Sequence, residues 1–165
     1  MKILHQSHAS NVVLTDLPVE LGKKVKTTDP VVWPILLTTA EIHSALNLPW
    51  PTISSQVGMI MYGNSYPKQA SEKIIAEIKT KNRVSPLNFI NANAGAAISV
   101  CCTTYQFRGP TLNLTMSDIE TEKIALIIAD DWLRKGDANY IFLVKADHDD
   151  GGNWVVNNKL LTLQQ

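Results

Sequence analysis

Residues 108–144 read RGPTLNLTMSDIETEKIALIIADDWLRKGDANYIFLV, and this stretch decides the fold. After a Gly-Pro step, residues 111–116 alternate polar and apolar side chains, which is typical of a β-strand. Residues 119–135 have acids in the first turn and bases in the last, which favours an α-helix, and Gly136 ends it. Residues 139–144 are a short apolar run that indicates a buried strand. The stretch therefore predicts a strand, a turn, a helix and a second strand.

The rest of the chain also alternates helical and extended patterns. This alternation predicts a single α/β domain, in which a mixed sheet carries helices on both faces. In the helix at 70–80, Ile74, Ile75 and Ile78 are expected to face inward. The remaining predicted elements are strands at 11–14 and 57–62, a loop at 17–34, helices at 35–47 and 85–106, and a strand or hairpin at 154–163 with its turn at Asn157-Asn158.

The composition excludes several classes of protein. Of the 165 residues, 45% are hydrophobic and 18% are charged, so the chain has enough apolar material for a core and is not disordered. The net charge is zero, which argues against a nucleic-acid partner. No apolar run reaches the roughly 18 residues of a membrane span. The first sixteen residues lack the apolar core of a signal peptide, so we expect a cytoplasmic protein.

The segment Arg108–Leu114 resembles the Arg-Gly-Pro strand of the β-ketoacyl synthases. In that family the strand leads into a sharp turn with the nucleophilic cysteine, then a long helix, a Gly-Asp-Ala step and an apolar strand. The same order recurs here, with Gly136-Asp137-Ala138 as the step. Upstream, residues 57–63 (VGMIMYG) and 85–95, which begin with Ser85-Pro86, resemble the family's preceding strand and helix. The resemblance is best over residues 55–147.

The resemblance implies a fold and a domain assignment. It implies one thiolase-like half with a mixed sheet, so that residues 1–165 form a single ketosynthase-like N-terminal domain. In the family, the strand that corresponds to residues 111–116 pairs with its counterpart across a two-fold axis. By this resemblance Leu112, Leu114 and Met116 are the expected subunit interface. The helix that follows is central in the family, so we expect Leu126 and Ile127 in the core.

The catalytic cysteine of the family is absent. Eight residues after Pro110 the turn carries Asp118, and counting back from Gly136 points to Ile119. Asp118 fits a helix N-cap, and Ser117 is a hydroxyl nucleophile without an evident base; these two turn positions are the catalytic candidates, joined by a histidine if the chain is a different acyl-thioester enzyme. The family's two catalytic histidines belong to its second half, which this sequence does not contain. We therefore expect no condensing activity from the chain alone.

Other candidate sites have ordinary structural explanations. Adjacent Cys101 and Cys102 are read as reduced, buried residues, because a disulfide between neighbours is strained and no C-x-x-C spacing is present. The Asp147–Gly152 stretch is read as a solvated turn rather than a cation site. Asp130 and Asp131 diverge on a helix and form no acid–base pair. No metal and no cofactor is expected.

Three functional hypotheses follow. The first is a non-catalytic subunit resembling the chain-length factors of polyketide or fatty-acid-type biosynthesis, which shapes an acyl site or docks an acyl carrier protein. Its partner is a second copy of itself or a ketosynthase. The second is a small enzyme that uses the scaffold for other acyl-thioester chemistry, such as a dehydratase or cyclase. The third is a structural or interaction domain.

Overall fold

The computed structural model describes residues 1–64, 66–116 and 119–164. Helices and strands alternate along the chain, and 3₁₀ turns lie at Leu14–Asp16 and Ser54–Gln56. The strands are β1 (Lys2–Ser10), β2 (Val57–Tyr62), β3 (Thr111–Leu114), β4 (Tyr140–His148) and β5 (Trp154–Thr162). The helices are α1 (Val19–Val25), α2 (Val32–Ala45), α3 (Trp50–Ile53), α4 (Lys68–Lys81), α5 (Pro86–Asn91), α6 (Ala96–Tyr105) and α7 (Ile119–Lys135).

The five strands form one mixed sheet in the order β1-β5-β4-β2-β3. β2 is parallel to β3 and β4, whereas β5 is antiparallel to both β4 and β1. One face packs against α2 and α6, and the opposite face packs against α7. The predicted mixed sheet with helices on both faces is confirmed.

The interior strand β2 shows why a short apolar run becomes a strand here. All six of its residues are buried, because β3 and β4 flank it and helices cover both faces. A strand buried on both faces has no polar side to display, so its sequence is uniformly apolar rather than alternating.

The Gly-Pro step before β3 is explained by a close approach of two backbones. A Cβ on Gly109 would lie 2.6 Å from the carbonyl oxygen of Val57, and a Cβ on Gly58 would lie 2.8 Å from that of Pro110. Two hydrogen bonds hold the approach: Gly109 N–H donates to the Val57 oxygen at 3.0 Å, and Met59 N–H donates to the Pro110 oxygen at 3.0 Å. The Gly-Pro step therefore sets the register of β3 on β2.

The N-terminal predictions at 11–14 and 17–34 are wrong. The first strand is β1, and the predicted strand at 11–14 is instead the approach to the 3₁₀ turn. The predicted loop contains α1, whose Val25 is buried in the core. β1 was missed because it is an edge strand whose polar residues hide the alternation that reveals a half-buried strand.

Two further elements differ from their prediction. The helix predicted from Ser85 to Gln106 is two helices, because a turn around Asn93 separates α5 from α6 and the Asn93 side chain accepts a hydrogen bond from Gly95 N–H at 2.8 Å. The C-terminal segment is one continuous strand, and the turn that precedes it ends at Gly152, which has a φ of 78°. Asn158 is therefore buried within β5 rather than in a turn.

Some predicted core residues are exposed. Ile75 and Ile78 of α4 are both about half exposed, although Ile74 is partly buried. Ile127 of α7 is 67% exposed, whereas Leu126 packs partly against the sheet. The reason is that α7 contacts the sheet through the small residues Ala125 and Ala129, so its opposite side faces away from the core.

Candidate functional site

The predicted catalytic turn lies between β3 and α7. Its two candidates, Ser117 and Asp118, fall outside the described residues, so their catalytic role stays a prediction. The flanking residues are described: Met116 is exposed after β3, and Ile119 is exposed at the start of α7.

Backbone contacts join the carboxyl ends of β2, β3 and β4. Gly63 N–H donates to the carbonyl oxygen of Met116 at 3.1 Å, and Asn64 N–H donates to Asp147 Oδ1 at 3.0 Å. Gly63 has a φ of 110°, and a Cβ on it would lie 2.4 Å from the Ala146 carbonyl oxygen. Because no other residue fits this conformation and this space, the glycine fixes the turn after β2 beside the end of β3.

A tyrosine with a raised pKa ends β2 on the α7 side. Burial, followed by the nearby Glu122 carboxylate that pairs with its hydroxyl, raises the pKa of Tyr62 well above its usual value. Glu122 also lies 3.8 Å from Lys159 Nζ. The neutral phenol and its charged neighbours secure α7 to the sheet, which is a structural arrangement.

A cavity of about 560 Å³ lies beside the carboxyl ends of β2 and β4. Its most buried charged group, Asp29, accepts backbone hydrogen bonds from Val31 and Ala70 at 3.1 and 2.9 Å, and so joins the start of α2 to the start of α4. His148 stacks on Trp154 with ring centroids 3.7 Å apart. Asp29 and His148 therefore make structural contacts within this lining. It comprises Asn11, Val12, Asp29, Pro30, Asn64, Tyr66, Lys68, Gln69, Glu72, His148, Gly152, Asn153 and Trp154.

Neither thiol is placed for chemistry. Cys101 is fully buried, and burial raises its pKa to about 12. Burial also raises the pKa of Cys102 to about 11. A thiol must ionise to act as a nucleophile, so both are inert near neutral pH. Both are free thiols; Cys101 is buried as predicted, whereas Cys102 is only partly buried.

The other charged candidates also have structural roles. Of the Asp147–Gly152 stretch, Asp147 and His148 end β4 and the remainder lies in the turn to β5, in which Asp149 accepts a hydrogen bond from Asn153 N–H at 2.8 Å. That bond is the main reason that the pKa of Asp149 is lowered. Asp130 and Asp131 pair with Arg134 and Lys135 on the surface of α7. Within residues 1–64, 66–116 and 119–164, no three His, Cys, Asp or Glu side chains are grouped as metal ligands.

A buried polar cluster in the core was not predicted. Asn158 Nδ2 donates to the hydroxyls of Thr38 and Thr39 at 3.3 and 3.0 Å, and the Cys101 thiol lies 3.5 Å from the Thr39 hydroxyl. All four residues are fully buried. Sequence patterns do not reveal such a cluster, because its members come from α2, α6 and β5.

The open side of β3 and the helices beside it expose apolar residues. β3 pairs with β2 and with no other described strand, and Leu112 and Leu114 are partly buried on its α7 side. We call Leu112, Leu114 and Met116 the edge surface. On the other side, the Asn113 side chain bonds to the Ala94 oxygen, which joins β3 to the turn after α5. The α4–α5 surface consists of Ile75, Ile78, Leu87, Phe89 and Ile90, each about half to two-thirds exposed.

Comparisons with known proteins reveal the fold family through structure alone. No protein-family model and no curated protein sequence matches the chain. Among solved structures, it resembles the ketosynthase (ApeO) in complex with its chain length factor (ApeC) from Xenorhabdus doucetiae, with a TM-score of 0.64 and 12% identity over 92% of this chain and 64% of that one. It also resembles a type II polyketide synthase complex, AntDE:AntF, in which an acyl-carrier protein binds its ketosynthase bound to the hexaketide (TM-score 0.66, 11% identity, 91% of this chain, 52% of that one).

A third similar structure is the ishigamide ketosynthase/chain length factor, with a TM-score of 0.56 and 12% identity over 66% of this chain. The chain spans 36–64% of the length of these three chains. At such low identity the likeness shows the fold alone, and that fold is the ketosynthase-like, thiolase-like fold that residues 108–144 predict. No helix in the described part of the chain combines the length and apolarity that a bilayer crossing requires.

Proposed function

We propose that this chain is a non-catalytic ketosynthase-like subunit that pairs with a ketosynthase of a polyketide- or fatty-acid-type pathway. The open edge of β3 carries the proposal. The opposite edge of the sheet, β1, displays Lys2, His5 and His8, and such polar side chains discourage pairing of edges. β3 has no charged residue, and Met116 beyond it is 52% exposed.

The surroundings of this edge support a protein partner. Leu112 and Leu114 of the edge surface lie on the α7 side of β3, and the α4–α5 surface adds exposed apolar side chains on the helices that follow β2. Apolar areas of this kind mark sites of protein association. Two of the similar structures are complexes, one of a ketosynthase with a chain length factor and one of a ketosynthase with an acyl carrier protein. We therefore take a ketosynthase as the partner, and a second copy of this chain as the alternative.

Within the complex, the chain would shape the acyl site or help to dock an acyl carrier protein. A scaffold role agrees with the raised pKa of both thiols and with the structural contacts of Asp29 and His148 in the described cavity. The proposal treats residues 1–165 as one domain and assigns it to the cytoplasm, where its partner would be made.

A matched pair of variants tests the interface. Met116→Lys places a charge on the β3 side, and Ile3→Lys places one on the opposite edge at the same exposure, 50% against 52%. Tagged proteins are used to capture the ketosynthase of the native host, which is quantified by mass spectrometry. We expect Met116→Lys to reduce capture about tenfold and Ile3→Lys to leave it unchanged, since an interfacial charge loses its hydration without gaining a partner.

Two results would refute the pairing. One is equal capture by wild type and Met116→Lys, and the other is capture of no ketosynthase at all. A wild type that instead dimerises with itself, and loses that dimer on Met116→Lys, would identify the edge surface as a homodimer contact.

The lack of catalysis is tested separately. Incubation of the chain with acyl- and malonyl-loaded carrier proteins should yield no ketoacyl product, because the raised pKa of both thiols keeps them protonated near neutral pH. A product that persists in Cys101→Ala/Cys102→Ala would reveal a different nucleophile, and a product that disappears in that variant would show that a buried thiol becomes reactive. Either result contradicts the non-catalytic role.

A further inference from the structure

The outer face of α7 is apolar at its centre. The inner face packs on the sheet through Thr121, Ala125, Ala129 and Leu133, all buried. Ile127 is the middle residue of the helix and points away from that face, with 67% of its surface exposed. An isoleucine opposite the buried side gives no packing energy to this fold.

Charged residues flank Ile127 along the same face. Glu120 and Lys123 precede it, and Asp131 and Arg134 follow it, at intervals of three and four residues that keep all five on one side of a helix. All four are largely exposed. We call these five residues the α7 stripe.

The charges of the α7 stripe are complementary to themselves when the helix is reversed. Glu120 and Arg134 lie seven residues to either side of Ile127, and their charges are opposite. Lys123 and Asp131 lie four residues to either side, and their charges are opposite as well. A second α7 that runs antiparallel, with the two-fold axis at Ile127, would place every charge of the stripe against the opposite charge. A parallel second copy would place like charges together.

We propose that the α7 stripe binds the α7 stripe of a second copy of this chain, antiparallel around a two-fold axis at Ile127. Such a contact is isologous, so each pairing occurs twice. Glu120 would meet the partner's Arg134, and Lys123 would meet the partner's Asp131. The contact lies on the helix layer and not on the edge of the sheet. It therefore goes beyond the proposed function and leaves β3 available for a different partner.

The contact is small, and the dimer is therefore weak. A helix of 17 residues is roughly 25 Å long, which gives one stripe well below the ~800 Å² per partner of a standard interface. The charges also have partners within their own helix, since Lys123 Nζ lies 2.6 Å from Glu120 and Arg134 Nε lies 2.5 Å from Asp130. The association should weaken as salt is added, because exposed charges are screened.

A single cysteine tests the position of the two-fold axis. In Ile127→Cys the new thiol would face its own copy, so mild oxidation of the purified chain should yield a disulfide-linked dimer of twice the 18.2 kDa mass. The control is Val19→Cys on α1, where the native side chain is equally exposed at 70%. Native Cys101 is buried and native Cys102 is partly buried, and both are present in the control as well. No dimer from Ile127→Cys, or the same yield from Val19→Cys, would overturn the proposal.

A charge exchange tests the pairing itself. In the Ile127→Cys background, Glu120→Lys should slow cross-linking about tenfold, since two attractive contacts become repulsive. Adding Arg134→Glu should restore the parent rate, because the reversed pair is again complementary. A double variant as slow as Glu120→Lys would overturn the antiparallel pairing. Met116→Lys should leave the rate unchanged, so failure at the β3 edge is distinguishable from failure at α7.

Discussion

Replacing Gly63 by alanine should be among the most damaging small substitutions in this chain. Gly63 has a φ of 110°, which costs a residue with a Cβ about 1–3 kcal/mol. Its new Cβ would also lie 2.4 Å from the Ala146 carbonyl oxygen, and displacing backbone of the central strand β4 costs a further ~1–3 kcal/mol. We expect the free energy of unfolding to fall by about 2–6 kcal/mol, a large part of the roughly 5–15 kcal/mol of a typical domain.

The control for this variant is Gly136→Ala. Gly136 also has a positive φ, 77°, but a Cβ on it would meet nothing within 4 Å. It should cost only the conformational strain, about 1–2 kcal/mol. Both variants reduce the entropy of the unfolded chain equally, so their difference isolates the clash and the less favourable φ.

Urea denaturation followed by circular dichroism measures both free energies. With a slope of about 2 kcal/mol per molar urea, Gly63→Ala should lower the midpoint by roughly 2 M. If the two variants lie within about 1 kcal/mol of each other, the close contact between the turn after β2 and β4 does not exist. The proposed support for the strand ends would then be wrong.

Two more predictions concern the core. Leu133→Ala should destabilise the chain by about 2–5 kcal/mol, since Leu133 is 3% exposed, whereas Ile127→Ala at low protein concentration should cost below about 0.5 kcal/mol. Thermal or urea unfolding of the monomer compares the two variants. Equal losses of stability would mean that the face of α7 described as exposed is in fact buried. Burial raises the pKa of Cys101 to about 12, so above about pH 9 the unfolded chain loses the thiol proton before the folded chain does, and the free energy of unfolding should fall as the pH rises. This fall should be smaller in Cys101→Ala. Identical pH profiles of wild type and variant would mean that this thiol is not buried.

The sequence predicted most elements with strong periodicity. The bounds of β2 and α7 agree with prediction because one is a continuous apolar run between turn residues and the other has oriented charges and a glycine stop. β1 was missed because an edge strand needs little apolar alternation. The prediction for Asn157-Asn158 failed because a polar pair normally signals a turn, and only the packed structure gives the Asn158 side chain its partners on α2.

Which face of a helix is buried was harder to predict than its extent. In α7 the residues against the sheet are Thr121, Ala125, Ala129 and Leu133, whereas the larger Ile127 is outside. Hydrophobicity alone favours the larger side chain for the core, but a helix that lies close on a sheet requires small residues at the contact. The tertiary distance between α7 and the sheet, which sequence does not contain, decided the outcome.

The segment that carries the family resemblance separates scaffold from chemistry. Gly109 is required by the approach of β3 to β2, because a Cβ on it would lie 2.6 Å from the Val57 oxygen. Gly63 is required in the same way at the other end of β2. The backbone geometry of this chain needs both glycines, and that need does not depend on a nucleophile. The resemblance in residues 108–114 is therefore evidence for the architecture, and the function must be argued from the surfaces that this architecture leaves open.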